Sequence, residues 1–218
     1  MNYINRLFAI LRNRGLRTTF VLVKIKLKSI LELLIPQTIW GDRVGLRSVK
    51  QSLTDAEIEQ IYAWSRDEEE LRWTGGVSST LTLQEFRNRI RHERWRPQSN
   101  QILFYIVEKS GELLGRAGLY TIDWNKFEGE FGITIDKVYW NKRYGREATK
   151  LFIQYVFQKT PIKRIYLGTY KENLRAQHSF AASGFRTIGS IRRFDPRVGK
   201  NVEGIQMEIT PLDLQGKN

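Results

Sequence analysis

The segment between residues 128 and 157 constrains the fold most, because it joins a strand to a helix through a short basic loop. GEFGITID (129–136) has the pattern of a strand, and YWNKRYGREATKLFIQYVF (139–157) continues as an amphipathic helix. The first turn of a helix leaves backbone N–H groups unpaired, and its dipole favours negative charge. An Asn, a Gly and four cations precede and enter this helix. Either an anion binds there, or the cations lie on a solvated helix end.

The patterns on both sides of this segment predict an α/β domain. Capping boxes at 54–57 and 82–85 begin two helices. Seven strands are predicted: 43–49, two in the hairpin 102–123, 129–136, 162–170, 186–194 and 202–209. The predicted helices are 56–73, 85–95, the helix after Gly145 and 173–184. Helices between the strands of a mixed sheet indicate an α/β architecture with both faces of the sheet covered.

Composition narrows the possible chemistry. Hydrophobic residues make up 41% of the 218 residues, which is enough for a core, and the chain contains no cysteine. The lack of cysteine excludes a disulfide framework, a thiolate nucleophile and cysteine-ligated zinc. The two histidines, His92 and His178, have no carboxylate and third-ligand pattern around them. We therefore expect no metal site.

The net charge of +13 favours an anionic partner such as nucleic acid, an acidic lipid surface or a phosphorylated ligand. Residues 1–41 carry seven cations against one acid and have helical apolar spacing. We divide the chain into a basic amphipathic helical extension, 1–41, and a domain, 42–218. Three interpretations of the extension stay open: an element on an anionic membrane surface, a helix pair packed on the domain, and an organelle transit peptide.

Two blocks of the sequence resemble the GNAT superfamily of acyl-CoA N-acyltransferases. FGITIDKVYWNKRYGREA (131–148) resembles the acyl-CoA loop, usually Arg/Gln-x-x-Gly-x-Gly/Ala opening a helix, and ENLRAQHSFAASGF (172–185) resembles the Asn-x-x-Ala … Gly-Phe helix. The layout of residues 46–73 is similar to that of the subgroup that acetylates the N-termini of ribosomal proteins. The resemblance covers residues 44–210. It implies a mixed, mostly antiparallel central sheet of about seven strands with helices on both faces.

The resemblance also implies acetyl-CoA as co-substrate and a set of groups that hold it. Main-chain groups of the strand would pair with pantetheine like an added strand, and Gly145 would let the backbone approach the pyrophosphate. Asn173 would hold pantetheine or a water, a role compatible with a helix N-cap. The implied cofactor-binding residues are Ile133, Thr134, Ile135, Asn141, Lys142, Arg143, Tyr144, Gly145, Arg146, Asn173 and Arg175.

Two positions of the loop depart from the family pattern. Asn141 and Arg143 occupy slots where related sequences commonly have Gly. Asn tolerates the left-handed backbone region, so position 141 is little changed. If the slot of Arg143 has a positive φ, the side chain costs about 1 kcal/mol or more. Alternatively the slot has helical dihedrals, and Arg143 contacts phosphate.

Acetyl transfer to an amine needs a group that accepts a proton. Alternation along the strand puts Glu128 and Glu130 on one face, and the resemblance favours Glu130 because the Glu before the Gly of this strand often faces the acceptor. A pair of solvent-facing acids is the alternative. Phe180 stands where relatives often have a Tyr that protonates the thiolate. The replacements considered for that proton are water, Tyr139, Tyr170 and Ser179. For the acceptor pocket, we select Trp73, Trp124 and Arg193.

The function predicted on this basis is acetyl-CoA-dependent N-acetyltransfer to a primary amine, either a protein N-terminus or an amino-sugar or other small amine. A catalytically degenerate GNAT-fold module that binds an anionic partner is the alternative. We expect a cytoplasmic protein, and the membrane interpretation of residues 1–41 would add peripheral association with the inner membrane face. Nucleic acid is not an expected partner, because the sequence contains no established nucleic-acid motif. The sequence indicates no oligomeric state.

Overall fold

The structure, a computed structural model, describes residues 38–92 and 98–215. They form one eight-stranded sheet with the strand order β1-β2-β3-β4-β5-β6-β8-β7. The strands are β1 (Thr38–Trp40), β2 (Val44–Ser48), β3 (Ile102–Glu108), β4 (Leu113–Asp123), β5 (Glu128–Ile135), β6 (Arg164–Tyr170), β7 (Arg186–Asp195) and β8 (Lys200–Ile209). All neighbouring pairs are antiparallel except β5 and β6, which are parallel. The predicted mixed, mostly antiparallel sheet is therefore confirmed.

The described helices connect these strands, except the last one, which follows β8. They are α1 (Asp55–Trp64), α2 (Glu68–Thr74), α3 (Leu83–His92), α4 (Tyr144–Lys159), α5 (Leu174–Ala182) and α6 (Pro211–Gln215), and a short 3-10 helix, Lys137–Tyr139, lies between β5 and α4. None of the helices within these ranges is both long and apolar enough to cross a bilayer.

Alternating side chains of β3 explain why helices cover both faces of the sheet. Phe104 packs edge-on against Phe152 and Tyr155 of α4. Tyr105, the next residue, belongs with Val107 to a cluster on which residues of α1 pack. Because successive strand residues point to opposite faces, α4 and α1 lie on opposite sides of the sheet.

Two sequence-based boundaries differ from the structure. The helix predicted over 56–73 is two helices, since Asp67 has an extended backbone and its side chain accepts a hydrogen bond from the N–H of Glu70, which begins α2. Thr38–Trp40, assigned above to the extension, pairs with β2 as an eighth strand. Residues 1–37 lie outside the described residues, so the amphipathic helical extension and its membrane association stay predictions.

The parallel pair β5–β6 comes apart along its length. It is paired only from Glu128–Glu130 to Arg164–Tyr166. Beyond that point β5 remains paired with β4 as far as Ile135, and β6 remains paired with β8 as far as Tyr170. The sheet therefore splits between β5 and β6, and each strand turns an unpaired backbone edge toward the split.

Candidate active site

A cavity of ≈ 710 Å³ opens at the split between β5 and β6. Its walls come from β5 and β6, the loop between β5 and α4, the first turn of α4, and helices α5 and α2. Sixteen residues were predicted from the sequence to be catalytic or to bind acetyl-CoA or the acceptor. Twelve of them line the cavity: Trp73, Glu130, Ile133, Thr134, Ile135, Asn141, Arg143, Gly145, Arg146, Asn173, Arg175 and Arg193. The sequence blocks that are distant along the chain thus meet at one site.

The remaining four selected residues lie elsewhere. The Glu128 carboxylate accepts a hydrogen bond of 2.8 Å from Arg164 Nη1, which ties it to the paired end of β5 and β6. Trp124 lies after β4, where its Nε1 donates to the Ser99 carbonyl oxygen at 3.1 Å. Strand alternation correctly placed Glu128 and Glu130 on one face, but it could not show which of them reaches the split.

Lys142 and Tyr144 belong to the loop but turn to its outer side. The ammonium of Lys142 lies 5.4 Å from the centroid of the Tyr139 ring. The Tyr144 hydroxyl donates to Glu108 Oε1 at 2.8 Å, and the guanidinium of Arg43 lies 4.8 Å from the centroid of the Tyr144 ring. Both side chains fasten the loop rather than line the cavity.

The loop adopts the left-handed backbone at both positions where relatives commonly have Gly. Asn141 has φ 63° and Arg143 has φ 68°. Arg143 is the N-cap of α4, but its side chain makes no capping hydrogen bond. The N–H groups of the first turn of α4 therefore keep the open, partly positive character of an uncapped helix end.

Gly145 keeps the same helix end accessible. A Cβ at this position would have Ile135 Cγ1, at 3.4 Å, as its neighbour among protein atoms. That is an ordinary contact, so packing within the protein does not require a glycine here. A side chain would instead occupy the space in front of the first turn of α4, where Gly145 lines the cavity.

Hydrogen bonds from the preceding helices fix the start of the loop. Asp136 Oδ2 accepts from Trp64 Nε1 at 2.8 Å, which joins the loop to α1. Lys137 joins it to α2, since its Nζ lies 2.5 Å from Asp67 Oδ2 and its N–H donates to Glu70 Oε1 at 3.0 Å. The loop is therefore held in its curved form by protein contacts alone.

Two guanidinium groups stand beside the open helix end. Arg146 Nε is buried and has no hydrogen-bond partner in the described chain. Arg175 lies 3.4 Å from the centroid of the Trp140 ring, and burial lowers its pKa. Asn173 accepts a hydrogen bond from the N–H of Ala176, so the predicted N-cap of α5 is confirmed. A buried guanidinium nitrogen without an acceptor points to an anionic ligand.

Glu130 stands where β5 and β6 begin to separate. It is the last β5 residue paired with β6, opposite Tyr166, and it pairs with Tyr120 of β4 on its other side. Its half-buried side chain lines the cavity, and no described residue forms an ion pair or hydrogen bond with its carboxylate. Glu130 is therefore available to a ligand at the closed end of the split.

The hydroxyl groups near Phe180 differ in their availability. Phe180 packs between Phe131 and Phe185 and has no proton to donate. The Tyr139 hydroxyl donates to Glu112, and burial together with this bond raises its pKa. Ser179 lines the cavity one residue before Phe180. Tyr139 lines the cavity as well, but its hydroxyl proton is engaged by Glu112, whereas Tyr170 is not part of the lining. Ser179 is therefore the better placed of these hydroxyl groups to act in the cavity.

Sequence reasoning missed Glu70, a buried carboxylate in the wall of the cavity. Glu70 is 3% exposed, its Oε1 accepts the N–H of Lys137, and its Oε2 has no partner in the described chain. Burial raises its pKa to about 7. The residue is the last acid of the run DEEE (67–70), which resembles a solvated helix start, and only the break of the helix at Asp67 turns this last acid inward.

No group of three or more His, Cys, Asp or Glu side chains within 38–92 and 98–215 is arranged to hold a metal ion.

Comparisons with known proteins agree with this geometry. The family model described as an acetyltransferase (GNAT) domain matches residues 43–186. An uncharacterized N-acetyltransferase, p20, of Bacillus licheniformis is 25% identical over 185 residues, which cover 83% of this chain and 99% of that protein. Spermidine N(1)-acetyltransferase of Escherichia coli K12 is 32% identical over 87 residues, which cover 40% of this chain and 47% of that enzyme.

The fold is also similar to solved structures. The structure of spermidine N-acetyltransferase from Vibrio cholerae in complex with CoA and spermine has a TM-score of 0.64 to this chain at 19% identity. The match covers 79% of this chain and 98% of that chain. At this identity the similarity establishes the fold.

The left-handed backbone of Arg143 predicts that two substitutions which remove the same charge differ in their effect on the stability of the protein. Arg143→Gly relieves the clash of Cβ at φ 68°, whereas Arg143→Ala keeps it. We expect the Gly variant to have the larger free energy of unfolding, by about 1 kcal/mol. Urea unfolding of both variants measures this difference. If Arg143→Ala is as stable as Arg143→Gly, or more stable, the backbone at position 143 is not strained by a side chain.

The buried Glu70 predicts a pH dependence of stability. Its pKa is raised from 4.5 to about 7, so the folded protein holds this proton more tightly than the unfolded chain does. The contribution of Glu70 to the free energy of unfolding therefore falls by on the order of 3 kcal/mol as the pH rises from 4.5 to about 7. Above that pH the contribution is constant. Glu70→Gln removes this dependence.

Urea unfolding between pH 5 and pH 8 tests this expectation. The stability of Glu70→Gln relative to the unmodified protein should increase with pH, while Glu69→Gln, a neighbouring and exposed substitution, should show a constant difference. A pH-independent difference for Glu70→Gln would show that the carboxyl is ionised throughout.

Proposed function

Because the chain belongs to the acetyltransferase (GNAT) domain family, we propose that it transfers the acetyl group of acetyl-CoA to a primary amine within a ternary complex. The resemblance to this family in the sequence is thereby confirmed at the level of the family. The observation that carries the proposal is the open N-terminal turn of α4 beside the split between β5 and β6. An anion site next to an unpaired strand edge suits a ligand that has phosphates at one end and amide groups along its length.

The residues around the cavity fit CoA. Gly145 leaves room for a phosphate against the first turn of α4, and the buried Nε of Arg146 lacks an acceptor that a phosphate oxygen would supply. The free edge of β5 at Ile133, Thr134 and Ile135 offers main-chain groups to the amides of pantetheine. Bound there, acetyl-CoA supplies an activated acyl group, and the protein needs only to position it.

The proposed proton acceptor is Glu130. The attacking amine must be neutral, so a carboxylate at the closed end of the split, open to the cavity and free of cationic partners in the described chain, can take its proton directly or through a water. Ser179 is the residue proposed to donate a proton to the departing thiolate. A thiol has a reference pKa of about 8.5, so its departure needs little assistance.

The acceptor is an amine whose identity the family leaves open. The relatives named for spermidine act on a polyamine, and the sequence analysis proposed a protein N-terminus or a small amine such as an amino sugar. Trp73, Tyr120 and Arg193 also line the cavity and are the side chains that such an acceptor would contact.

Isothermal titration calorimetry with acetyl-CoA tests the binding step. We expect saturable binding, weakened in Arg146→Gln because a phosphate contact is lost, with Lys142→Gln as a control for a loop cation that lies outside the cavity lining. Absence of binding at millimolar ligand would overturn the proposal and favour a catalytically degenerate module that binds another anion.

Substitution of Glu130 tests the proton transfer. With any acceptor that supports thiol release, Glu130→Gln should lower kcat at neutral pH by roughly 100-fold or more and leave the affinity for acetyl-CoA nearly unchanged. Glu128→Gln should retain turnover, because Glu128 is paired with Arg164 outside the cavity lining. Unchanged turnover in Glu130→Gln would remove the assignment of this residue.

A further inference from the structure

The far wall of the cavity carries a guanidinium group that no carboxylate neutralises. Arg193 of β7 is half-buried, and its Nη1 donates a long hydrogen bond of 3.4 Å to the Gly168 carbonyl oxygen. Its guanidinium carbon lies 5.7 Å from the centroid of the Tyr170 ring. No carboxylate in the described ranges forms an ion pair with it. A partly desolvated cation is normally paired, so this arrangement leaves a place for an anion.

The neighbouring cations show that the chain pairs the arginines it uses for structure. Arg197 lies over the same Tyr170 ring but forms a two-pronged ion pair with the buried Asp195. Arg164 bridges two carboxylates, Glu128 and Glu208. Arg193 is the exception among these three, and unlike the other two it lines the cavity.

Two glycines flank the Arg193 guanidinium at ordinary contact distance. Gly75, which caps α2 in the left-handed conformation, would place a Cβ 3.9 Å from Arg193 Nη2. Gly168 of β6 would place a Cβ 3.8 Å from Nη1. The guanidinium therefore lies between α2 and β6 with its position fixed by the ring and the carbonyl, which lowers the entropy lost when it binds a ligand.

The strand register gives the position of Arg193 relative to the proposed proton acceptor along the sheet. Glu130 pairs with Tyr166, and the carbonyl that holds Arg193 belongs to Gly168, two residues further along β6. Two residues of a strand span about 7 Å. The Arg193 guanidinium is therefore offset from Glu130 along the strand direction, and because both side chains line the same cavity, one acceptor molecule can contact both.

The charge of the wall disfavours a polycationic acceptor. The lining contains five arginines against two acids, Glu70 and Glu130, and three of the arginines, Arg143, Arg146 and Arg175, belong to the proposed CoA end, which leaves Arg116 and Arg193 for the acceptor. Burial raises the pKa of Glu70 to about 7, so this acid adds less than a full negative charge at neutral pH. A polyamine would bring a second cation into a cavity in which the Arg193 guanidinium has no carboxylate partner within the described residues.

We infer that the acceptor is a small amine that carries an anionic group, a phosphate or a carboxylate, and that Arg193 binds this group. The inference rests on the proposed acetyl transfer and specifies its substrate class. Glu130 receives the proton of the amine, and Arg193 fixes the other end of the molecule. A guanidinium is suited to this task because its planar donors match both phosphate and carboxylate oxygens.

Matched acceptors test this inference. Glucosamine 6-phosphate is compared with glucosamine, 6-aminohexanoate with 6-amino-1-hexanol, and spermidine is measured beside them, with kcat/KM for thiol release as the readout. For at least one pair, we expect kcat/KM of the anionic member to exceed that of its neutral partner and that of spermidine by roughly tenfold or more. One charge-assisted hydrogen bond contributes enough free energy for a preference of this size. The pair that responds distinguishes a phosphate from a carboxylate.

Two variants of adjacent arginines provide the control. Arg193→Gln should remove most of the preference through a higher KM for the anionic acceptor, with acetyl-CoA affinity unchanged. Arg192→Gln changes the next residue of β7, which is exposed, points to the other face and is not part of the cavity lining, and it should keep the preference. A preference that survives in Arg193→Gln, or a neutral or polycationic acceptor used equally well, overturns the inference.

Calorimetric binding of the same compounds to protein saturated with CoA gives a second readout that needs no turnover. Stronger binding of the anionic members, lost in Arg193→Gln, supports the inference, and equal binding of each pair overturns it. Failure of acetyl-CoA itself to bind contradicts the proposed function instead. In that case the same titrations on the protein without CoA still report whether Arg193 binds an anion.

Discussion

The site depends on a parallel strand pair that stops pairing after three residues. Past Glu130 and Tyr166, the facing edges of β5 and β6 have no strand partner, although their outer edges remain paired with β4 and β8. Unpaired backbone groups are costly when they are dry, so such an opening persists only where water or a ligand can satisfy it. The split thereby creates the cavity, exposes main-chain donors and acceptors along it, and directs its open end toward the first turn of α4.

The loop at that open end combines local strain with strong external support. Left-handed backbone at Arg143 is unfavourable for a residue with a side chain, yet the bonds of Asp136 to α1 and of Lys137 to α2 hold the start of the loop in place. The strain leaves the first-turn N–H groups without a side-chain cap. The unfavourable conformation and the anion site are consequences of the same turn.

Much of this arrangement could be predicted from the sequence, because it rests on local patterns. Apolar alternation predicted seven of the eight described strands, and the position of Gly145 before an amphipathic run predicted the open helix end. The short β1 carries too few residues for a pattern. Glu70 was missed because its burial depends on the turn at Asp67, and Trp124 was misplaced because an aromatic residue at a strand end has no pattern that tells a cavity wall from a turn. The residue at which β5 and β6 stop pairing depends on how the two strands align in the folded sheet, and no single segment of the sequence specifies that alignment.

The anchors of the loop have a consequence for the speed of ligand capture. Asp136 and Lys137 already hold their positions through contacts with α1 and α2, and Tyr144 of the first turn of α4 is bonded to Glu108 of β3, so the arriving ligand meets a surface that need not fold around it. Little chain entropy is lost on encounter, and the guanidinium groups at the mouth extend their attraction over about a Debye length. Association can then approach the limit set by diffusion, so that the lifetime of the complex, rather than the rate of its formation, determines how tightly the ligand is held.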